Sequence, residues 1–134
     1  MVLIVCIDDN NGLSFNNRRV SSDKAVIQDI IKLADSQDIT LSAYSAPLFQ
    51  NFQDRLEVRE DIFDSVSGVR FAEAGDFLGV MDKVEKLIVY KWNRRYPSDR
   101  KFPIDAYKSC MTLESTEEIE GSSHPCITRE VYIR

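Results

Sequence analysis

Apolar residues concentrate in two runs, one at the start of the chain and one about two thirds of the way along it. Val2–Ile7 is apolar throughout and stops abruptly at the polar run Asp8–Gly12. The second run, Leu87–Trp92, is interrupted only by Lys91. Short apolar runs bounded by turn formers are typical of strands buried on both faces of a sheet. We therefore predict that both runs form central strands.

Between these runs the apolar spacing changes to that of a helix. Ser22 precedes Asp23, and a stripe at three- and four-residue spacing predicts a capped amphipathic helix over about 22–35. The stripe consists of Val26, Ile27, Ile30, Ile31 and Ala34. A β-branched segment over 38–43 predicts the next strand, and Ser45 before Ala46-Pro47 favours a new helix.

The rest of the pattern is less regular. We predict a long ordered loop over 12–19, which has neither a helical nor an alternating apolar period. Two strands near the end of the chain would form an antiparallel hairpin around a long polar loop. The two strands span 107–113 and 127–133, and the loop between them spans 114–125. The sequence also predicts four shorter elements: strands at 55–58 and 69–72, a helix at 60–66 and a helical turn at 76–83.

Alternation of strands and helices favours parallel strands joined by right-handed crossovers. We therefore predict an α/β fold: a mixed, mainly parallel central sheet flanked by helices, with a C-terminal antiparallel hairpin. A length of 134 residues suits a single domain over 1–134. In such sheets ligands bind beyond the carboxyl ends of the central strands.

Composition excludes several classes of protein. A net charge of -5 with 43% hydrophobic residues indicates an ordinary acidic globule, so broad nucleic-acid binding is not expected. The apolar runs are far shorter than the roughly 20 residues that span a bilayer, so we expect a cytoplasmic protein that makes no membrane contact. The oligomeric state stays open. Three widely spaced cysteines and one histidine argue against a disulfide framework and against a metal site.

Two stretches resemble the dihydrofolate reductase family. The first is Leu3–Gly12 with Asn16-Asn17, which is similar to the family's first strand and substrate loop. The second begins at Val84–Tyr90 and matches the order of the family's last strands. It continues through Phe102-Pro103, Tyr107–Cys110, Ser122–His124 and Glu130–Arg134. The resemblance covers most of the chain in order and implies the same fold.

The residues that carry the family's chemistry are different here. The enzymes place an acidic residue on the first helix, pointing into the pterin pocket, and an ungapped count puts Val26 at that position. A gap would bring Asp23 there instead, although a carboxylate in the first turn of a helix is also favoured by the helix dipole. Asp23 is thus the weak candidate for a catalytic acid, with a structural role as the alternative.

The cofactor side departs further from the family. The step from strand to helix that binds the cofactor's phosphates reads Ser42–Ser45 here, where Ser45 matches the family's hydroxyl and the basic residue is missing. Near the family's paired glycine lies Glu73, which would repel phosphate. We therefore expect no NADPH cofactor and a fold relative without the family's reductase activity.

The default ligand site is the carboxyl end of the two apolar strands. If these strands are neighbours, two Asn-Arg-Arg triplets would bring four guanidiniums to one edge of a cleft and bind phosphate or carboxylate. Pairing of these arginines with surface carboxylates is the simpler alternative. For the aromatic candidate Trp92, the simpler alternative is packing in the core. The candidate ligand-binding residues are Asp8, Asn10, Asn16, Asn17, Arg18, Arg19, Tyr90, Trp92, Arg94 and Arg95.

Other chemistry has weaker support. His124 beside Ser123 lacks a nucleophile-elbow motif, so a hydrogen-bonded turn histidine is the expected role.

Three hypotheses for the function follow. The first is a non-reductase relative of dihydrofolate reductase that binds a small anionic or heterocyclic ligand. The others are an NADPH-dependent reductase of altered substrate and a protein-interaction module without a ligand.

Overall fold

The computed structural model describes residues 1–134 and contains two β-sheets. The larger sheet has seven strands: β1 (Val2–Ile7), β4 (Ile39–Leu41), β5 (Leu56–Val58), β6 (Val69–Phe71), β7 (Lys86–Lys91), β9 (Thr112–Ile119) and β10 (Ile127–Ile133). Their order across the sheet is β5-β4-β6-β1-β7-β10-β9. The first five strands in this order are mutually parallel, and β10 and β9 close the sheet in antiparallel fashion.

The two apolar runs of the sequence lie side by side at the centre of this sheet. β1 pairs with β7 over its whole length, from Val2 opposite Lys86 to Ile7 opposite Lys91. Alternate side chains enter two separate cores, because successive residues of a strand point to opposite faces. Leu3 joins the core on one face and Ile4 the core on the other. The predicted central pair of strands is confirmed.

Helices cover the two faces of the sheet. Helix α1 (Lys24–Ala34) packs its predicted stripe on one face, and its N-cap is Asp23 rather than Ser22. A 3₁₀ helix (Ala46–Arg55) follows β4 and packs Phe49 on the same face. Helix α2 (Ile104–Cys110) packs on the opposite face. A second short 3₁₀ helix, Met81–Lys83, lies within the predicted helical turn.

The predicted strand over 107–113 is wrong, because α2 occupies most of that range. Ile104 and Tyr107 are buried three residues apart on one side of the helix, which is helical spacing. Pro103 at the N-cap also suits a helix start. The hairpin does form, but from β9 and β10, and half of the range predicted as a loop belongs to β9. A polar sequence tolerates this because β9 is an edge strand, paired on one side only.

The predicted long loop over 12–19 is also wrong. Gly12–Phe15 (β2) and Arg18–Arg19 (β3) form a hairpin, which Arg100–Lys101 (β8) extends to a three-stranded antiparallel sheet. The two-residue turn between Phe15 and Arg18 has positive φ at both central residues, 51° at Asn16 and 62° at Asn17. Asparagine tolerates this conformation, which is that of a type I′ turn. This small sheet lies beside the carboxyl end of β1.

The predicted helix over 60–66 is replaced by turns. The backbone N–H of Phe63 donates to Asp61 Oδ1, and the hydroxyl of Ser65 accepts from the N–H of Ser67. Such local side-chain hydrogen bonds compete with helix formation. The weak strand predictions at 55–58 and 69–72 correspond to β5 and β6. No helix is long and apolar enough to cross a membrane.

Candidate functional site

A cleft of about 420 Å³ opens beside the carboxyl ends of β4 and β6. Ser42 and Tyr44 line it from the segment after β4, and Glu73 with Gly75 from the segment after β6. The small sheet forms the facing wall, and Glu60 lies at the rim. The cleft thus lies at the carboxyl edge of the parallel strands, where open α/β sheets bind ligands.

A row of three polar side chains crosses the wall formed by the small sheet. Ser14 pairs with Arg19 on one side and with Arg100 on the other. Residues directly opposite each other in antiparallel strands point to the same face. All three residues line the cleft. The hairpin therefore directs two guanidiniums into one cavity, one from β3 and one from β8.

Arg19 is already engaged by a carboxylate. Its Nε and Nη2 donate to Glu73 Oε2 at 2.7 Å and Oε1 at 3.0 Å, a bidentate pair. This hydrogen bonding raises the pKa of Arg19. The guanidinium also lies 4.5 Å from the ring centroid of Tyr44, and Ser45 Oγ donates to Glu73 Oε1 at 2.7 Å. Glu73 is thus neutralised inside the cleft, and the hydroxyl of Ser45 is used to hold it.

Arg100 differs from Arg19 in having no partner. It is exposed, and its side chain makes no hydrogen bond or ion pair, although it lines the same cleft. Glu60 is exposed and unpaired as well. A guanidinium with five free donors in a concave site is suited to carboxylate or phosphate.

The remaining arginines of the two triplets lie elsewhere. Arg18, Arg94 and Arg95 are exposed and do not line the cleft, so the structure does not bring the four guanidiniums together there. Asn17 lines the cleft from the β2–β3 turn. Asn16 is exposed on that turn, where its backbone N–H donates to Asp99. With Asn10, five predicted ligand-binding residues therefore lie on exposed surface outside the cavity.

Asp8 is buried at the end of β1 and holds the local backbone. Its Oδ1 accepts from the N–H groups of Asn10 at 2.9 Å and Gly12 at 2.6 Å. Its Oδ2 accepts from the N–H of Tyr96 at 2.8 Å. Asn10 itself is exposed on this turn. The Asp8 carboxylate thus ties the loop after β1 to the loop after β7.

Tyr90 and Trp92 are both buried in the core against α1. The hydroxyl of Tyr90 donates to Asp29 Oδ2 at 2.6 Å, and burial raises the pKa of the phenol well above its usual range. Trp92 stacks on His124 with ring centroids 4.8 Å apart. Neither side chain lines the cleft.

A second cavity lies between α1 and the end of β1, and it is almost filled. Its volume is about 20 Å³, and its walls include Cys6, Val26, Phe71 and Trp92. Burial, followed by the charge of Glu73, raises the pKa of the Cys6 thiol above its usual range. This slot has room for about one water molecule.

Asp23 lines this slot and holds the turn that connects β9 and β10. Its two oxygens accept from the backbone N–H groups of Ala25, Ser122, Ser123 and His124 and from His124 Nδ1. The side chain of Asp23 is fully buried. No local sequence signal indicated this network, because His124 and Asp23 are about a hundred residues apart.

The strand order, the position of α1 and the cleft at the carboxyl edge define an α/β protein with the dihydrofolate reductase fold, as the sequence resemblance implied. A solved dihydrofolate reductase from Enterococcus faecalis, complexed with NADP(H) and RAB-propyl, matches with a TM-score of 0.68 and 12% sequence identity, covering 99% of this chain and 95% of that chain. No protein-family model matches the chain, and no curated protein matches it in sequence. At this identity the likeness establishes the fold alone.

The two regions where the resemblance would place the pterin and the cofactor are a small slot and a segment that carries a carboxylate. A pterin ring does not fit the slot beside α1, which is about 20 Å³ in volume. On the cofactor side, the hydroxyl at the family's phosphate-binding position belongs to Ser45, which is buried and donates to Glu73. A phosphate at that position would face the Glu73 carboxylate.

Proposed function

We propose that the protein is a non-reductase relative of dihydrofolate reductase whose cleft binds a small anionic ligand. The observation that carries this proposal is the unpaired guanidinium of Arg100, aligned with Ser14 and Arg19 along one wall of a cleft of about 420 Å³. That volume suits a small organic molecule. The ligand's anionic group would bind Arg100.

Residues next to Arg100 in the cleft would contact the rest of the ligand. Asn17 offers an amide next to the guanidinium row, and Ser14 offers a hydroxyl within it. The ring of Tyr44 is half exposed at the cleft, so a heterocyclic part of the ligand has an aromatic surface to contact. Arg19 neutralises Glu73 and thereby prevents this carboxylate from repelling the anion.

Binding of NADPH is not part of this proposal. Glu73 takes both the hydroxyl of Ser45 and the guanidinium of Arg19. A dinucleotide phosphate would have to displace this pair or remain close to a carboxylate, and both carry an electrostatic cost. The reductase alternative therefore has less support than the binding protein.

The test is a ligand screen by thermal shift followed by calorimetry. The probes are inorganic phosphate, citrate, a nucleoside monophosphate, folate and NADPH. A ligand present at 100 times its dissociation constant stabilises the folded state by about 2.7 kcal/mol, so we expect a clear rise in melting temperature for at least one small anion. Arg100→Gln removes a charged hydrogen bond that contributes about 1.5–3 kcal/mol. This variant should therefore bind the same anion with an affinity lower by about tenfold or more.

Arg95→Gln is the matched control, since it removes the same charge from an exposed position outside the cleft. It should bind the same probe with wild-type affinity. Equal weakening in both variants would mean that net charge, rather than the cleft, controls binding. Stabilisation by NADPH alone would support the reductase, and no response to any probe would favour the interaction module.

A further inference from the structure

A hydrogen-bonded chain of three side chains lies beside the start of α1, apart from the anion cleft. Ser21 Oγ is 2.9 Å from His124 Nε2, and His124 Nδ1 is 3.0 Å from Asp23 Oδ2. Ser21 and Asp23 immediately precede α1, whereas His124 comes from the turn between β9 and β10. These are the residue types and the order of contacts that activate a serine for nucleophilic attack.

The hydrogen bonds determine which nitrogen carries the proton. A carboxylate only accepts, so the contact with Asp23 requires the proton on His124 Nδ1. Nε2 of the neutral ring then has a free lone pair, which faces the hydroxyl of Ser21. The histidine is therefore held in the tautomer that can remove a proton from Ser21.

The carboxylate and the ring are both fixed in position. Burial alone would raise the pKa of Asp23, but hydrogen bonds from His124 and from the backbone of Ser122, Ser123 and Ala25 outweigh it and hold the pKa well below its usual range. The imidazole is 4% exposed and stacks on Trp92. An ionised, immobile aspartate is what stabilises the imidazolium formed during attack.

We propose that Ser21 is a nucleophile and that the protein transfers short acyl groups from small esters to water. Within the protein, the backbone N–H groups of Ser21 and Ser22 donate no hydrogen bond. The N–H of the residue after a nucleophilic serine is a common oxyanion donor. These two groups are thus available to stabilise the negative charge that develops on the ester oxygen.

The reaction balances with these residues and one water. Ser21 Oγ bonds to the ester carbon while its proton moves to His124 Nε2. The bond from carbon to the leaving oxygen then breaks, and that oxygen takes the proton from Nε2. Water attacks the acyl-serine, gives its proton to Nε2, and releases the acid as the proton returns to Ser21 Oγ.

The neighbouring slot limits the acyl group. Ser21, Val26 and Trp92 are among the residues that line it, and its volume is about 20 Å³. A cavity that holds about one water molecule has room for a methyl group. Acetyl esters are therefore the class of substrate that this site takes.

Tyr96 competes with Ser21 for the histidine. Its hydroxyl is 3.1 Å from the same Nε2, and one lone pair cannot fully accept from two donors. Removing this hydroxyl in Tyr96→Phe leaves Nε2 to Ser21 alone. The variant should therefore react at least as fast as the wild type.

The test combines covalent labelling with turnover. The full chain is treated with an alkyl fluorophosphonate, in which Ser21 Oγ displaces fluoride from phosphorus, and adducts are located by mass spectrometry of peptides. Release of p-nitrophenolate from p-nitrophenyl acetate measures turnover. We expect a single adduct on Ser21, absent from Ser21→Ala and retained in Ser36→Ala, which removes an exposed hydroxyl beyond the other end of α1.

His124→Gln tests the base, and we expect labelling to slow by about 100-fold or more in a variant that remains folded by circular dichroism. If His124→Gln does not fold, Tyr96→Phe is tested in its place. A fall in the labelling rate of Tyr96→Phe would contradict the proposal that Ser21 and Tyr96 share the lone pair of His124 Nε2. No adduct on the wild type under conditions that label a known serine esterase would overturn the proposal. So would an adduct that persists in Ser21→Ala.

Discussion

Two buried carboxylates hold loops in place, Asp8 at the end of β1 and Asp23 at the start of α1. Asp8 accepts three backbone N–H groups, and Asp23 accepts four. A carboxylate with several such donors is anchored and keeps the surrounding backbone rigid. In the cleft, Glu73 is satisfied by Arg19 and Ser45. The unpaired guanidinium of Arg100 stands out against these satisfied groups.

The pair of Arg19 and Glu73 allows a test at single residues. The two side chains are 25% and 15% exposed, so Arg19→Met leaves a mostly buried carboxylate with one hydroxyl donor. We expect a loss of about 1–2 kcal/mol in the free energy of unfolding. The double variant Arg19→Met/Glu73→Gln should recover part of that loss, because the unpaired charge is gone.

Urea denaturation of the wild type, both single variants and the double variant completes the cycle. A coupling energy near zero would mean that the ion pair contributes nothing to stability. Arg18→Met is the matched control, since Arg18 precedes Arg19 in the same hairpin, is exposed and forms no ion pair.

At the scale of elements, buried strands were predictable and edge structure was not. β1, β7 and α1 carry strong apolar patterns, since both faces of the strands and one face of the helix are buried. β9 is exposed along most of its length, so it has no apolar pattern, and its polar sequence predicts a loop. The sequence over 107–113 predicts a strand because a seven-residue helix such as α2 is too short for its period to be distinctive.

The candidate site was predictable only in part for the same reason. The sequence predicts a site at the carboxyl ends of β1 and β7, and two of its candidate residues, Asn17 and Arg19, line the cleft beside β4 and β6. Arg100 was missed because β8 has two residues and gains its position only by pairing with β2. The contacts of His124 were missed because they join distant parts of the chain.

The β2–β3 turn gives a prediction for one element. Asn17 has a φ of 62° at the second central position of the turn, where glycine is preferred and a β-branched residue is strained. Asn17→Gly should keep or slightly raise the free energy of unfolding, whereas Asn17→Val should lower it by roughly 1–2 kcal/mol. Urea midpoints of the two variants and the wild type provide the measurement. Equal stability of the two variants would contradict the turn geometry.

At the scale of the whole molecule, the Asp23 network joins parts of the chain that are distant in sequence. The carboxylate connects the N-terminus of α1 to the β9–β10 turn, and His124 extends the contact to Tyr96 after β7. α1 covers one face of the sheet, and the hairpin closes one of its edges. The stability of the entire fold is therefore coupled to the charge of one buried group.

This coupling predicts a dependence of stability on pH. The pKa of Asp23 is lowered in the folded state, so its contribution is fully present above its unfolded pKa of about 3.9 and is lost as the pH falls toward the folded pKa. We expect the free energy of unfolding to fall steeply below about pH 4 in the wild type. Asp23→Asn should be less stable at pH 7 and should lack this component of the acid-dependent fall.

Urea denaturation between pH 2.5 and pH 7 measures the effect. Asp9→Asn is the control, because Asp9 is exposed and its carboxylate accepts no hydrogen bond. If the two variants showed the same slope with pH as the wild type, Asp23 would not be the group responsible.

The central position of β1 also bears on how the protein is made. Its neighbours, β6 and β7, come from Val69–Phe71 and Lys86–Lys91. Much of the polypeptide must therefore leave the ribosome before the apolar strand β1 can pair with a neighbouring strand. Until then a growing chain carries it unprotected, and contacts between such distant segments form slowly. We therefore expect β1 to be open to non-native contacts, of the kind that chaperones suppress, until β6 and β7 have been made.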